Sequence, residues 1–277
     1  MEKSFLKWAG GKYKLLPKLI HILEKFEDKK INQTFIEPFL GSGIVFLNFN
    51  KVSNFILNDT NKDLIHIFNS LQEDNDFIEK SSIYFKDINN DPDFFKKIVV
   101  QFNRTATPDQ RAQIFIYLNK HCFNGLMLFD KSGYFNTPFG KYKSVAFPRE
   151  SLKTMKNKIT SNNISFLSRS FEVILENSGF GDIVYCDPPY VDIDEQVSFK
   201  QYGKYVFGLK EQKLLAQLAW EAAQRGAKVV ISNHFTDLTK KLYKNCSSYD
   251  AIDVKRTISS KGDDRKTVKE MLAVYDF

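Results

Sequence analysis

The chain has 277 residues and a net charge of +7, with 43% hydrophobic and 26% charged residues. That length buries a full core in one large or two modest domains, and no apolar run is long enough to cross a bilayer, so no membrane partner is expected. Cys122, Cys186 and Cys246 lack CxxC spacing, and His21, His66, His121 and His234 lack HxxxH or HExxH spacing, which argues against a metal site and fits reduced thiols.

The start, Met1-Glu2-Lys3-Ser4, carries no secretory pattern, and a cytoplasmic location is expected. The basic excess suits a polyanionic partner, although the heavy use of Lys, Asn, Ile and Phe also matches the bias of an AT-rich genome.

In chain order, Phe5-Leu6-Lys7-Trp8-Ala9-Gly10-Gly11-Lys12 reads as a loop entering a helix over 14–26, with Leu15, Leu16, Leu19, Ile20, Ile22 and Leu23 at helical spacing. A short strand over 34–37 follows, then Pro38-Phe39-Leu40-Gly41-Ser42-Gly43, a helical segment over 44–48, a strand over 54–58 and a helix over 61–71. This β-α-β-α opening predicts an α/β sandwich with a mostly parallel sheet. Residues 74–146 change character: first polar and helical, then aromatic and glycine-punctuated, with a hairpin turning at Asp130-Lys131-Ser132-Gly133. We read 74–146 as an inserted domain within a domain formed by 1–73 and 147–277. The α/β pattern then resumes with strands over 164–167 and 182–186, a helix over 209–224 capped by Gly226, a strand over 227–232 and a closing antiparallel pair over 251–254 and 268–275.

Glu37 ends a strand and leads through Gly41 and Gly43 into a helix, where ligands of open α/β sheets bind. Asp59 ends the next strand, a position suited to ribose hydroxyls. Phe46 stands where a dinucleotide fingerprint needs its third glycine, which favours a nucleoside cofactor without a pyrophosphate over a nicotinamide dinucleotide. Glycines used only as turn punctuation would give the same pattern. Trp8 could cover a purine or sit in the core, and Lys12 could meet a carboxylate.

The stretch around Lys120, Phe123, Lys131, Lys141, Tyr142 and Lys143 alternates cations with rings, as nucleic-acid surfaces do and as a small aromatic core would. A basic loop, Lys255-Arg256-Thr257-Ile258-Ser259-Ser260-Lys261-Gly262 with Arg265-Lys266, is either a DNA clamp or a solvated loop. Finally, Asp187-Pro188-Pro189-Tyr190 leaves the buried strand over 182–186. Two prolines stop the ladder and keep their carbonyls available, so a carboxylate, free acceptors and a ring stand together. Such a loop suits a planar ring with an exocyclic amine, and an ordinary strand exit would also read this way.

Taken together and in this order, these motifs resemble the Dam-type, α-group DNA adenine-N6 methyltransferases over nearly the whole chain. Phe123-Asn124-Gly125-Leu126, Phe135-Asn136-Thr137-Pro138-Phe139-Gly140-Lys141-Tyr142 and Ile231-Ser232-Asn233-His234 share in the match, as does Ile258-Ser259-Ser260-Lys261-Gly262. The resemblance implies a seven-stranded class I methyltransferase sheet, S-adenosylmethionine as cofactor, double-stranded DNA as partner, a monomer in solution that associates with the nucleoid, and GATC or a related site. It implies cofactor contacts from Trp8, Ala9, Gly10, Lys12, Glu37, Pro38, Phe39, Gly41, Ser42, Gly43, Asp59 and Asp187. It implies catalysis at Asp187, Pro188, Pro189 and Tyr190 on a flipped adenine. DNA contacts fall on Lys7, Lys120, Phe123, Asn124, Leu126, Leu128, Pro138, Lys141 and Tyr142. Leu128 stands where the family usually has an arginine reading guanine, which predicts relaxed reading of one base pair or a different site. A cytosine-N4 or RNA methyltransferase is the nearest rival, although cytosine enzymes more often begin the tetrapeptide with serine. A catalytically inactive DNA-binding protein is the non-enzyme alternative.

Overall fold

Apolar alternation along the strands dictates how the sheet is covered. All four residues of Ile183-Val184-Tyr185-Cys186 are buried, with Ile183 and Tyr185 in one apolar cluster and Val184 and Cys186 in another. A strand apolar on both faces must be covered on both sides. The computed structural model describes residues 1–8, 12–190, 200–202, 205–255 and 267–277. Its strands are β1 (Thr34–Glu37), β2 (Asn54–Asn58), β3 (Asn163–Leu167), β4 (Asp182–Cys186), β5 (Lys200–Tyr202), β6 (Tyr205–Phe207), β7 (Lys228–His234), β8 (Ser248–Lys255) and β9 (Thr267–Tyr275). Its α-helices are α1 (Leu16–Glu24), α2 (Ile44–Asn48), α3 (Lys62–Glu73), α4 (Phe77–Ser82), α5 (Pro92–Arg104), α6 (Pro108–His121), α7 (Arg149–Thr160), α8 (Phe171–Glu176), α9 (Leu209–Gln224) and α10 (Asp237–Leu242).

A seven-stranded sheet runs in the order β3-β2-β1-β4-β7-β9-β8, with β9 antiparallel to both neighbours and every other pairing parallel. The mostly parallel sheet and its closing antiparallel pair are as the sequence predicted, and β5 and β6 form a separate antiparallel pair. Side chains of α1, α2, α3, α6 and α7 share one core with Phe35, Phe55 and Tyr185. Those of α8 and α9 share the other with Ile36, Val184 and Ile231. Ala216, Ala219, Ala222 and Ala223 make α9 thin on its buried face, so it lies close on the sheet.

The aromatic residues of α5 and α6 (Phe95, Phe102, Phe115, Tyr117) belong to the same buried cluster as Phe5, Leu16 and Phe35. Beyond α6 the expected hairpin is a turn, Gly133 N–H to Asp130 C=O at 2.9 Å, with isolated antiparallel bridges Phe129–Phe135 and Cys122–Phe139. Among the described residues no helix is long and apolar enough to cross a membrane, and no group of three or more His, Cys, Asp or Glu side chains is placed to hold a metal ion.

Candidate active site

Strand order reverses between β1 and β4, and a crevice opens at such a switch point beyond the strands' C-terminal ends. Three carboxylates stand there on adjacent strands: Asp59 after β2, Glu37 ending β1 and Asp187 after β4. Parallel pairing puts all three at the same edge of the sheet.

The first two carboxylates hold the glycine turn. Glu37 Oε2 accepts the Phe46 N–H at 3.0 Å, and burial, reinforced by nearby Asp187, holds its carboxyl well above the ordinary range. Asp59 accepts from Gly41 N–H at 3.0 Å and Asn61 N–H at 2.9 Å, and burial raises its pKa despite them. Asn61 then caps α3 by accepting from Leu64 N–H, so helix start and carboxylate are fixed together. Gly41 has φ +51°, and a Cβ there would stand 2.9 Å from Trp8 Nε1, so only glycine lets the turn approach the indole. Trp8 itself stacks on Phe115 with ring centroids 6.4 Å apart. Buried Asn58 donates to the Pro38 carbonyl at 2.9 Å and accepts from Arg169 N–H at 2.9 Å, which fixes the turn's entry. Phe39 stacks on Phe171 (5.5 Å) and meets Phe207 edge-on (5.7 Å). Ser42 is buried, and its carbonyl accepts from the Ser4 hydroxyl at 2.8 Å. Gly43, at φ +66°, leads into α2. Of the predicted cofactor residues, Ala9 and Gly10 lie outside the described residues.

The carboxylate that Lys12 meets is Asp187. The ammonium, 5% exposed, stands 2.9 Å from Asp187 Oδ1 and 4.3 Å from the Tyr190 ring centroid. Ser232 Oγ donates to the same Oδ1 at 3.0 Å and exchanges a 3.0 Å hydrogen bond with Tyr185 OH. Burial raises the Asp187 pKa, while Lys12 and Ser232 pull it down. Among the described residues, no hydrogen bond or ion pair takes Asp187 Oδ2. Tyr190 OH donates to Glu270 Oε2 at 3.0 Å, and its ring meets His234 edge-on at 4.7 Å. Gln212 Nε2 donates to the Pro189 carbonyl at 2.7 Å.

A second group gathers at the C-terminal end of α6. Lys7 Nζ lies 4.0 Å from the Tyr142 ring centroid and donates to the Lys120 carbonyl at 3.2 Å. Tyr142 OH donates to the Cys122 carbonyl and accepts from Asn124 N–H at 3.0 Å. Phe123 N–H donates to the Pro138 carbonyl at 2.8 Å, leaving the Phe123 ring half exposed. Thr137 Oγ1 joins the Leu126 carbonyl (2.6 Å) to Leu128 N–H (3.2 Å), so Leu128 is held at the surface. Burial, with help from Lys7, lowers the Lys120 ammonium to about 8. Lys141 is exposed, in the left-handed region at φ +52°, and among the described residues no side-chain hydrogen bond or ion pair joins it to this group. The loop from Arg256 to Lys266 lies outside the described residues.

Sequence reasoning missed Asn119, Gln212 and Glu270 as contributors. Asn119, wholly buried, accepts from Lys7 N–H at 2.8 Å and donates to the Lys7 and Gly125 carbonyls at 2.7 and 3.1 Å. An amide on an otherwise apolar helix face was its available signal.

The model of the D12 class N6 adenine-specific DNA methyltransferase family matches residues 8–259. The chain is 38% identical to the DNA adenine methylase of Haemophilus influenzae over 277 residues, covering 99% of this chain and 94% of that protein. It is 37% identical to that of Serratia marcescens (99% and 98% covered) and 36% identical to that of Escherichia coli K12 (99% and 95% covered). A match over most of the chain, joined to acceptors gathered at the switch point, establishes that the chain belongs to the D12 class of N6 adenine-specific DNA methyltransferases.

Proposed function

We propose that this protein methylates N6 of an adenine turned out of double-stranded DNA, within GATC or a related short site, using S-adenosylmethionine. The observation that carries the reading is the Asp187–Tyr190 loop leaving β4 beside Glu37, with Asp187 Oδ2 open to a donor.

The donor set suits the cofactor. A cationic, hydroxyl-bearing nucleoside needs acceptors, a close backbone and a ring surface, and Asp59, Glu37, the Gly41 turn and Trp8 offer these. Asp59 would take the ribose, with Trp8, Phe39 and Lys12 around the remainder. When bound, the cofactor supplies an electrophilic methyl group.

The chain's own residues must make N6 reactive, because its lone pair is delocalised into the adenine ring. Asp187 Oδ2 and the Pro188 carbonyl accept the two N6 hydrogens, which favours the pyramidal amine and orients it. Tyr190 covers the base face. The carboxyl of Asp187, raised by burial, can receive the proton that N6 releases. No covalent enzyme intermediate is needed.

We further read residues 74–146 as the target-recognition unit. Lys7 would meet a guanine edge, Phe123 would wedge into the stack, Asn124, Lys120 and Lys141 would hold phosphate, and Leu126, Pro138 and Tyr142 would border bases. Leu128 offers no donors for a guanine edge, so discrimination weakens at one base pair by roughly 1–3 kcal/mol. Profiling methylated positions in a random duplex pool tests this: a degenerate or altered site is expected, and strict GATC methylation would sink the claim about Leu128.

A further inference from the structure

The sequence match includes Ile231-Ser232-Asn233-His234, yet the reaction as derived above gives that strand end no task. We propose that Ser232, Asn233 and His234 are positioning residues that brace the acceptor loop one residue at a time, with Gln212 of α9 as the link to Pro189. The proposal rests on the reading of 187–190 as the methyl-acceptor loop.

The need for a brace follows from the loop's chemistry. Pro188 and Pro189 have no N–H, so neither can donate to the neighbouring strand. Among the described residues, the loop is instead held at its side chains and at the Pro189 carbonyl. Strand alternation sends Ser232 and His234 to one face of the sheet and Asn233 to the other. Ser232 holds Asp187 at 3.0 Å, and the His234 ring abuts Tyr190 at 4.7 Å.

From the opposite face Asn233 Nδ2 reaches Gln212 Oε1 at 3.2 Å and Tyr243 OH at 2.9 Å, while Tyr243 OH also lies 3.1 Å from Gln212 Oε1. Asn233 Oδ1 accepts its neighbour's N–H, from His234, at 2.9 Å, which fixes the direction of its amide. Two donors therefore face Gln212 Oε1, so the Gln212 nitrogen must point the other way, and it meets the Pro189 carbonyl at 2.7 Å. Gln212, Asn233 and Tyr243 are all buried, so the chain of bonds is shielded from competing water. With φ of both prolines set by their rings, fixing the Pro189 carbonyl limits where the Pro188 carbonyl and the Tyr190 ring can turn. The first glycine turn uses the same device, a buried amide from Asn58 on the Pro38 carbonyl.

The test compares Gln212→Glu with Gln212→Met in the full-length protein. Glutamate keeps an acceptor for Asn233 and Tyr243 but, when ionised, has no donor for Pro189; methionine has neither. Both are expected to lower kcat about 10- to 100-fold, the effect of slight misplacement of a reacting group, with duplex Kd changed less than about 3-fold. Below its own carboxyl pKa the glutamate variant regains a donor, so its kcat recovers relative to wild type as pH falls, and the methionine variant does not recover. Should both Gln212 variants fail to fold, Tyr243→Phe removes two bonds at the far end, to Asn233 and to Gln212, and is expected to lower kcat by about 2- to 10-fold. Wild-type kcat in folded variants, with only the unfolding midpoint lowered, would overturn the brace, as would equal pH profiles for the two Gln212 variants. An inactive wild type would instead remove the acceptor-loop reading beneath it, and the brace with it.

Discussion

At the scale of single residues, buried charge and its partners set the expected behaviour. Asp187→Ala removes the acceptor proposed to orient N6 and leaves Lys12 without that ion-pair partner. We expect methyl transfer to fall by about 10²–10³-fold, with duplex binding by gel shift retained. Loss of both together would point to a structural role for Asp187. Glu37 makes a stability prediction. Its carboxyl is held above the ordinary 4.5 by burial, so between 4.5 and that raised value the folded chain binds more protons than the unfolded chain. Stability therefore falls as pH rises through that window and stays lower above it. Glu37→Gln removes that dependence and should raise the unfolding midpoint at neutral pH. A midpoint unchanged or lowered at neutral pH would contradict the assignment. For Lys120, lowered to about 8, a bound phosphate favours the charged form. Duplex affinity should hold below that pH and decline above it, and Lys120→Arg should flatten the decline. Anisotropy titrations between about pH 7 and pH 9 would check this.

At the scale of elements, the turn after α6 is an exacting piece of backbone. Gly125 has φ +69°, and a Cβ there would lie 2.4 Å from Lys7 Cβ. Gly125→Ala should cost about 1 kcal/mol or more in stability and push Lys7 out of place, weakening sequence discrimination more than non-specific binding. Competition titrations against unrelated duplex would reveal that split. The seven strands of the main sheet and α9 were legible in the sequence, because apolar runs and the Gly226 cap announce them, whereas β5 and β6 were not read. Less legible were α5 and α7. Only Phe95, Ile98 and Phe102 are buried in α5, and only Leu152, Met155 and Ile159 in α7, so most of each helix reads as solvated. The Asp91-Pro92 start of α5 was a usable signal that went unread, since Asp91 caps the helix and Pro92 begins it. Gln212 and Glu270 were hidden for a different reason. A polar residue on an amphipathic element reads as surface until the fold brings it a buried partner, here the Pro189 carbonyl and the Tyr190 hydroxyl.

For the whole molecule, the sheet order brings distant motifs to one edge, and α6 ties the DNA-reading candidates to the N-terminal segment through Asn119 and Lys7. The net charge of +7 supplies a long-range attraction for a polyanion, and affinity should fall steeply with salt. The account's central claim is that the Asp187 loop transfers methyl to adenine N6 in duplex DNA. Its most direct measurement is transfer from labelled S-adenosylmethionine to paired duplexes, one carrying GATC and one with the final base pair changed, with digestion to nucleosides. The account predicts label in N6-methyladenine from both duplexes at comparable rates for the wild type, and at rates about 10²–10³-fold lower for Asp187→Ala. Label confined to GATC would restore the family's site despite Leu128. Label in cytosine, or equal transfer by Asp187→Ala, would contradict the account.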